Sequence, residues 1–257
     1  MSYFADIDGS GRIDSLLQYL DQTDQSMSAF KAYIVAAAKR YAPGGRILDL
    51  GCGVGHDLGR LAQVGLNPVG VDLSHQALLR AQSSFPGVVR AVAESLPFAD
   101  DTFDGCRIER VLQHVIAPAR VVDEVLRVVR PGGLVAVLEP DHTSFLVESS
   151  LVPDGTLPGR YVSTRHPAIG TEVASLLRER GCVVDDIVTE TSFGYDLRKL
   201  PVDAELATLR AVQAGELEPS LRQAWLGEQR ERSTAGTFQA TWTKILVVAR
   251  PPSRSGS

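Results

Sequence analysis

The chain has 257 residues, with 26 Lys or Arg against 31 Asp or Glu and a formal net charge of −5. That length fits one large domain carrying an insertion, and the charge excludes a protein whose affinity rests on a basic face, such as a nucleic-acid or anionic-membrane binder. Cys52, Cys106 and Cys182 form no C-x-x-C pair, which excludes a disulfide framework or zinc cage.

No apolar run reaches the roughly 20 residues of a membrane span, and MSYFADIDGS has no signal-peptide core, so a cytoplasmic protein is expected. In chain order, Ile13, Leu16, Leu17 and Leu20 mark one amphipathic helix; Phe30, Tyr33, Ile34, Ala37 and Tyr41 mark a second, stopped by Pro43-Gly44-Gly45. The pattern then alternates. Strands are predicted at Arg46–Leu50, Pro68–Val71, Val88–Val92, Phe103–Ile108, Leu134–Leu138 and Val183–Val188. Helices are predicted at Asp57–Val64, after Ser74 as N-cap, after Pro118, and over Ala168–Arg180. Leu134–Leu138 is apolar on both faces, as in a parallel sheet covered by helices on both sides. Tyr195–Ser233 is helix-like and polar, with Pro201 and Pro219 opening two helices, and Phe238–Ala249 is a last strand, expected to run antiparallel. The expected division is a helical cap over 1–42, a main domain over 43–250 with the 195–235 insertion as a substrate lid, and a flexible tail over 251–257.

The residues that carry chemistry begin at Ile47-Leu48-Asp49-Leu50-Gly51-Cys52-Gly53-Val54-Gly55. A glycine-rich turn between a buried strand and a helix lets backbone approach a ligand, with N–H groups free at the helix start. A dinucleotide fingerprint is G-x-G-x-x-G, and His56 stands where its last glycine would be, which disfavours a dehydrogenase. Val69-Gly70-Val71-Asp72-Leu73-Ser74 then places a carboxylate at the end of the second strand, where it can accept the hydroxyls of a ribose held over the turn.

Together with AESLPFADDTFD, ERVLQHV and EVLRVVRPGG, these blocks resemble the class I S-adenosylmethionine-dependent methyltransferases, and more narrowly the branch related to the ubiquinone and menaquinone C-methyltransferases. The resemblance covers roughly Tyr41–Leu138. It implies an α/β, Rossmann-like, seven-stranded sheet of order 3-2-1-4-5-7-6 with strand 7 antiparallel, and S-adenosyl-L-methionine as cofactor. By position it implies that Asp49, Gly51, Gly53 and Gly55 surround the methionine part, that Asp72 grips the ribose and that Leu73 packs on adenine. The branch often reads D-A-E-x-L-P-F where this chain has Val92-Ala93-Glu94-Ser95-Leu96-Pro97-Phe98, so adenine recognition passes to Ala93 or Glu94.

Glu109, Arg110, Gln113 and His114 follow the fourth strand and are expected between methyl donor and acceptor, with Arg110 toward the cofactor. His114 is the preferred general base, since an unperturbed imidazole titrates near 6.5; Glu109 and His142, the latter paired with Asp141, are the other catalytic candidates. The dull reading of Glu139-Pro140-Asp141-His142 is a polar turn. His56, His75 and His166 have no ligand spacing, and no metal is expected. Leu16, Leu17, Phe30, Tyr33, Phe145, Leu146 and Trp225 would supply an apolar acceptor pocket. The function expected is in-line methyl transfer to oxygen, carbon or nitrogen of a small-molecule, specialised-metabolite acceptor, by a monomer or homodimer without nucleic-acid or membrane partners. The alternative is a cofactor-binding protein of the same fold that catalyses a cyclisation or other non-methylating rearrangement. A base-methylating enzyme is disfavoured, because IERVL replaces the N/D-P-P-Y/F segment that holds a flipped base.

Overall fold

The computed structural model describes residues 28–152, 164–197 and 204–253. The first predicted helix, with Leu16 and Leu17, and Pro201 lie outside them. Strands β1 (Arg46–Leu50), β2 (Asn67–Asp72), β3 (Val88–Arg90), β4 (Phe103–Glu109), β5 (Val129–Val147), β6 (Val183–Gly194) and β7 (Ala240–Arg250) form one sheet. Its order is β3-β2-β1-β4-β5-β7-β6. The β1–β5 pairs are parallel, and β7 runs antiparallel between β5 and β6.

Alternation along the strands sends two apolar sets to opposite faces. Ile47, Leu134, Ala136, Leu138, Leu246 and Val248 pack against Phe30, Ile34, Ala37 and Ala38 of helix α1 (Ser28–Tyr41) and Leu61 of α2 (His56–Gln63). Leu48, Leu50, Cys106, Ile108, Val135, Val137 and Val247 face helices α4 (Pro118–Val128) and α5 (Ile169–Arg178). Four valines of α4 (Val121, Val122, Val125, Val128) are buried there, each side chain contributing about 1.5–3 kcal/mol. Helix α3 (His75–Ser84) starts where expected: the Ser74 side chain accepts from Ala77 N at 3.1 Å.

The antiparallel half departs from the sequence reading. Arg130-Pro131-Gly132-Gly133 does not break the chain ahead of a five-residue strand; it forms an irregularity in the β4–β5 register, inside a 19-residue β5. Glu139-Pro140-Asp141-His142 is therefore strand and not a polar turn. Glu139, Pro140 and Asp141 pair with Ile245, Lys244 and Thr243, and the pairing resumes at Leu146 and Val147 opposite Thr241 and Ala240. β6 likewise runs six residues past Val188, because β7 gives it a ladder as far as Gly194. Beyond the main core this ribbon carries a separate apolar cluster: Phe145, Val147, Phe238 and Ala240 pack against Trp225 and Leu226 of α7 (Pro219–Ala235). Helix α6 (Ala204–Gln213) precedes α7 within the predicted insertion. Pro219 opens α7, as expected.

Helix α5 reaches β5 only because residue 170 is glycine. A Cβ there would sit 2.9 Å from the Pro140 carbonyl carbon and oxygen and 3.0 Å from Asp141 N, all backbone atoms. Gly170→Ala is expected to destabilise the fold by about 1–3 kcal/mol, read as a lower urea midpoint at unchanged slope. Gly59→Ala, in α2 with nothing within 4 Å of the new methyl, is expected to shift the midpoint upward, by up to about 1 kcal/mol.

Candidate active site

At the carboxyl end of β1 the chain turns sharply. Gly51 N and Cys52 N both donate to Val71 O, at 2.7 and 3.0 Å. Gly51, Gly53 and Gly55 all take positive φ (76, 53 and 84°). Gly51 is constrained twice over, since a Cβ there would lie 2.2 Å from Val111 Cγ2. Asp72 organises the same turn: Oδ2 accepts from Gly53 N and Oδ1 from Ser74 N, both at 2.8 Å. Leu73, beside it, is exposed. Cys52 is buried under the turn, and burial together with the Asp49 and Asp72 carboxylates pushes its thiol well above the usual range.

Asp49 lies two residues beyond Ile47, so it shares the α1 face of the sheet, and its neighbour across the β1–β4 ladder is Arg107. Arg107 is the hub of a buried charge cluster. Its guanidinium meets Asp49 Oδ1 at 2.5 Å, Asp57 Oδ2 at 2.6 Å and Glu109. Lys31 from α1 reaches Asp57 at 2.8 Å and Glu109 at 3.9 Å, and Arg110 Nε stands 3.6 Å from Glu109 Oε1. Three carboxylates outweigh the burial cost of the Arg107 cation and raise its pKa. Burial acts the same way against Asp57, yet Arg107 and Lys31 prevail and hold that carboxyl below its usual value. Asp49 is buried most deeply, and burial against the pull of Arg107 pushes it up to about 6. Its Oδ2 has no hydrogen-bond partner among the described residues. Sequence reasoning missed Arg107, Lys31 and Asp57; a charged residue inside the apolar FDGCRIE strand was the available signal.

After β4 the chain enters the segment from Arg110 to His114. Arg110 has a positive φ of 55° and donates its backbone N–H to Leu138 O at 2.9 Å. Val111 N and Leu112 N both donate to Glu139 Oε1 at 2.7 Å. Glu139 is fully buried, and burial, opposed by these N–H groups, pushes its carboxyl up to about 8; its Oε2 has no hydrogen-bond partner among the described residues. His142 Nε2 lies 2.8 Å from Gln113 Oε1, and His166 Nε2 lies 3.1 Å from Val115 O. Glu94 Oε1 accepts from Ile116 N at 2.9 Å, which ties the third block to this segment. Val92 and Ser95 bridge, so Ala93 and Glu94 form a tight turn beside it.

The structure brings Asp49, Gly51, Gly53, Gly55, Asp72 and Leu73 together around one turn, and gathers Gln113, His114, Asp141 and His142 beside the segment that follows β4. Glu109 is engaged by Arg107, Lys31 of α1 and Arg110. Burial, with the nearby His142 ring and Arg110 cation, pushes His114 down to about 3, below the value of a free imidazole. Among the described residues no three His, Cys, Asp or Glu side chains gather as a metal site, and no helix is long and apolar enough to cross a membrane.

Two variants test these charges. Arg107→Met leaves buried carboxylates without their cation and is expected to cost about 3–5 kcal/mol of stability. Glu139 holds its proton in the folded chain up to about pH 8, whereas an unfolded Glu loses it near 4.3. A raised acid pKa makes the folded state the more protonated one, so its contribution to stability falls as pH rises through this window. Glu139→Gln keeps an acceptor oxygen and lacks the titration. Its stability relative to the parent is expected to rise steadily from pH 5 to 8 in urea titrations.

The comparisons with known proteins agree with this geometry. Residues 48–137 match the model of a methyltransferase domain family. An uncharacterised 37.1 kDa protein of transposon Tn4556 from Streptomyces fradiae is 33% identical over 250 residues, 91% of this chain and 71% of that protein. The demethylmenaquinone methyltransferase of Clavibacter sepedonicus is 34% identical over 139 residues, 51% of this chain; the match spans only 57% of that enzyme's length. In fold, the phosphoethanolamine N-methyltransferase 2 of Haemonchus contortus, solved with S-adenosyl-L-methionine, superposes with a TM-score of 0.55 at 17% identity, covering 98% of this chain and 60% of that one. The chain belongs to the class I S-adenosylmethionine-dependent methyltransferase family and is related within it to the quinone methyltransferases.

Proposed function

We propose that the protein moves a methyl group from S-adenosyl-L-methionine to a small-molecule acceptor, of the specialised-metabolite kind. The observation that carries this reading is the turn at Gly51–Gly55 with Asp72 hydrogen-bonded into it. The residues present suit the cofactor. Gly51, Gly53 and Gly55 leave backbone uncovered by side chains, and Asp49 Oδ2 is a buried acceptor oxygen in want of a donor, which an α-ammonium group would supply. In this reading Asp49 and the three glycines hold the methionine part, Asp72 the ribose, and the exposed Leu73 packs on adenine, whose edge meets Ala93 and Glu94. Arg110 stands at the boundary between cofactor and acceptor. The bound cofactor supplies an electrophilic methyl on a sulfonium.

The protein's own contribution is alignment and exclusion of water. In an open α/β sheet, ligands lie beyond the carboxyl ends of the strands, and that is where the Val111–His114 segment meets Glu139 and His142. The net charge of −5 supports an acceptor that is not a polyanion. The kinship to demethylmenaquinone methyltransferases fits a planar, partly apolar acceptor, with α7 in the role of lid.

Asp72→Ala is expected to weaken S-adenosylhomocysteine binding by tenfold or more in calorimetry, since hydrogen bonds to a charged group contribute about 1.5–3 kcal/mol each. Unchanged affinity would overturn the assignment. Appearance of S-adenosylhomocysteine when protein, cofactor and acceptor candidates are mixed checks the transfer itself.

A further inference from the structure

Asp49 Oδ2, Glu139 Oε2 and His142 Nδ1 are buried atoms near the sheet's carboxyl edge with no hydrogen-bond partner among the described residues. They divide by position. Asp49 belongs to the cofactor turn. Glu139 lies under the Val111–Leu112 backbone and already gives both N–H groups an acceptor. His142 is the one on the acceptor side. It is 5% exposed, and it follows Leu138, the last β5 residue in register with β4, by four positions.

The state of its ring follows from one contact. Nε2 lies 2.8 Å from Gln113 Oε1. An amide oxygen can only accept, so Nε2 carries the hydrogen, and in a neutral imidazole that leaves Nδ1 as the lone-pair nitrogen. Burial keeps the ring neutral, pushing its pKa down to about 4 although Asp141 pulls the other way. The Gln113 backbone is itself held firmly: its main-chain carbonyl accepts from Arg165 N at 2.8 Å and His166 N at 3.2 Å. The two residues before it are pinned by Glu139. On the other side, His142 N donates to Pro167 O at 2.8 Å. The ring is thus fixed from β5, from the segment after β4 and from residues 164–167, with a basic nitrogen that none of the described residues uses.

We propose that His142 is the catalytic base toward the acceptor, its Nδ1 receiving the hydrogen bond and then the proton of a phenolic or enolic hydroxyl, with Gln113 the positioning residue that sets the tautomer. This rests on the methyl-transfer reading above and narrows its acceptor to an acidic O–H. Burial weakens His142 as it weakens His114, and what sets His142 apart is its Nδ1, without a hydrogen-bond partner among the described residues. A phenol, whose proton leaves near pH 10 as in tyrosine, is nearer to such a base in acidity than an aliphatic alcohol. The phenol O–H bond breaks as the Nδ1–H bond forms. The oxygen keeps the electron pair, which makes the new O–CH3 bond while the donor's carbon–sulfur bond breaks and leaves its pair on sulfur. The imidazolium then returns its proton to water. His114 stands nearby.

The test reads the ring directly, by nitrogen NMR of the full chain labelled at histidine and saturated with S-adenosylhomocysteine; His142→Asn assigns the signal. The expected state at pH 7 is a protonated Nε2 and an unprotonated Nδ1. Added phenol is expected to move the Nδ1 resonance toward the protonated side, whereas anisole, the same ring without the proton, leaves it in place. Gln113→Glu is expected to preserve this state and Gln113→Leu to give a mixture of tautomers, with S-adenosylhomocysteine affinity within twofold of the parent in both. An Nδ1 protonated at rest, or equal responses to phenol and anisole, including none to either, would overturn the proposal. Failure to bind S-adenosylhomocysteine in calorimetry would instead overturn the function it rests on.

Discussion

Arg107 sits in the fourth strand where an apolar residue would ordinarily be, 4% exposed, and three carboxylates from three different elements converge on it. Asp49 comes from the end of β1, Asp57 from the first turn of α2, and Glu109 from the end of β4. A buried guanidinium is tolerated only with such partners, so each of these elements is held to the others by a charge that none can leave unpaired. Lys31 extends the arrangement to α1 through Asp57 and Glu109. The glycine turn, the helix that follows it, β4 and the helix that covers the face share one electrostatic anchor. Asp49, with one oxygen on Arg107 and the other without a partner among the described residues, stands at the end of it nearest the glycine turn.

The parallel half of the fold was largely legible in the sequence. Short apolar runs bounded by glycine and proline placed β1 to β4, and Ser74 and Pro118 marked helix starts by their capping chemistry. The glycine turn was legible because backbone conformation demands glycine at Gly51 whatever the ligand. The antiparallel half was less so. The second part of β5 carries Glu139, Asp141 and His142, polar residues that defeat any apolar-run criterion; they are strand because β7 offers them a ladder, and that partner lies a hundred residues away in sequence. His114 shows the matching limit for a side chain. Its residue type gave the intrinsic pKa, but its neighbours and burial decide the actual one, and neither is local in sequence. Arg107 was readable only as an oddity, since its partners come from separate elements.

The two halves of the sheet accordingly do different work. Parallel β1, β2 and β4 end together and gather backbone N–H groups and carboxylates around one turn. β5, β7 and β6 continue past that edge as an antiparallel ribbon, which carries the Phe145–Trp225–Phe238 cluster and α7 above it. Between the halves runs the Val111–His114 segment, pressed against Gly51 on one side and bonded to Glu139 and His142 on the other.

Cys52 adds a chemical consequence to this architecture. It occupies the middle of the turn assigned to a methyl sulfonium, and a thiolate in that place would be a stronger nucleophile than any hydroxyl of an acceptor. Burial and the flanking carboxylates of Asp49 and Asp72 keep it as the thiol. Packing against Leu58 and Leu78, with the same two acids, thus holds the sulfur in its less nucleophilic form.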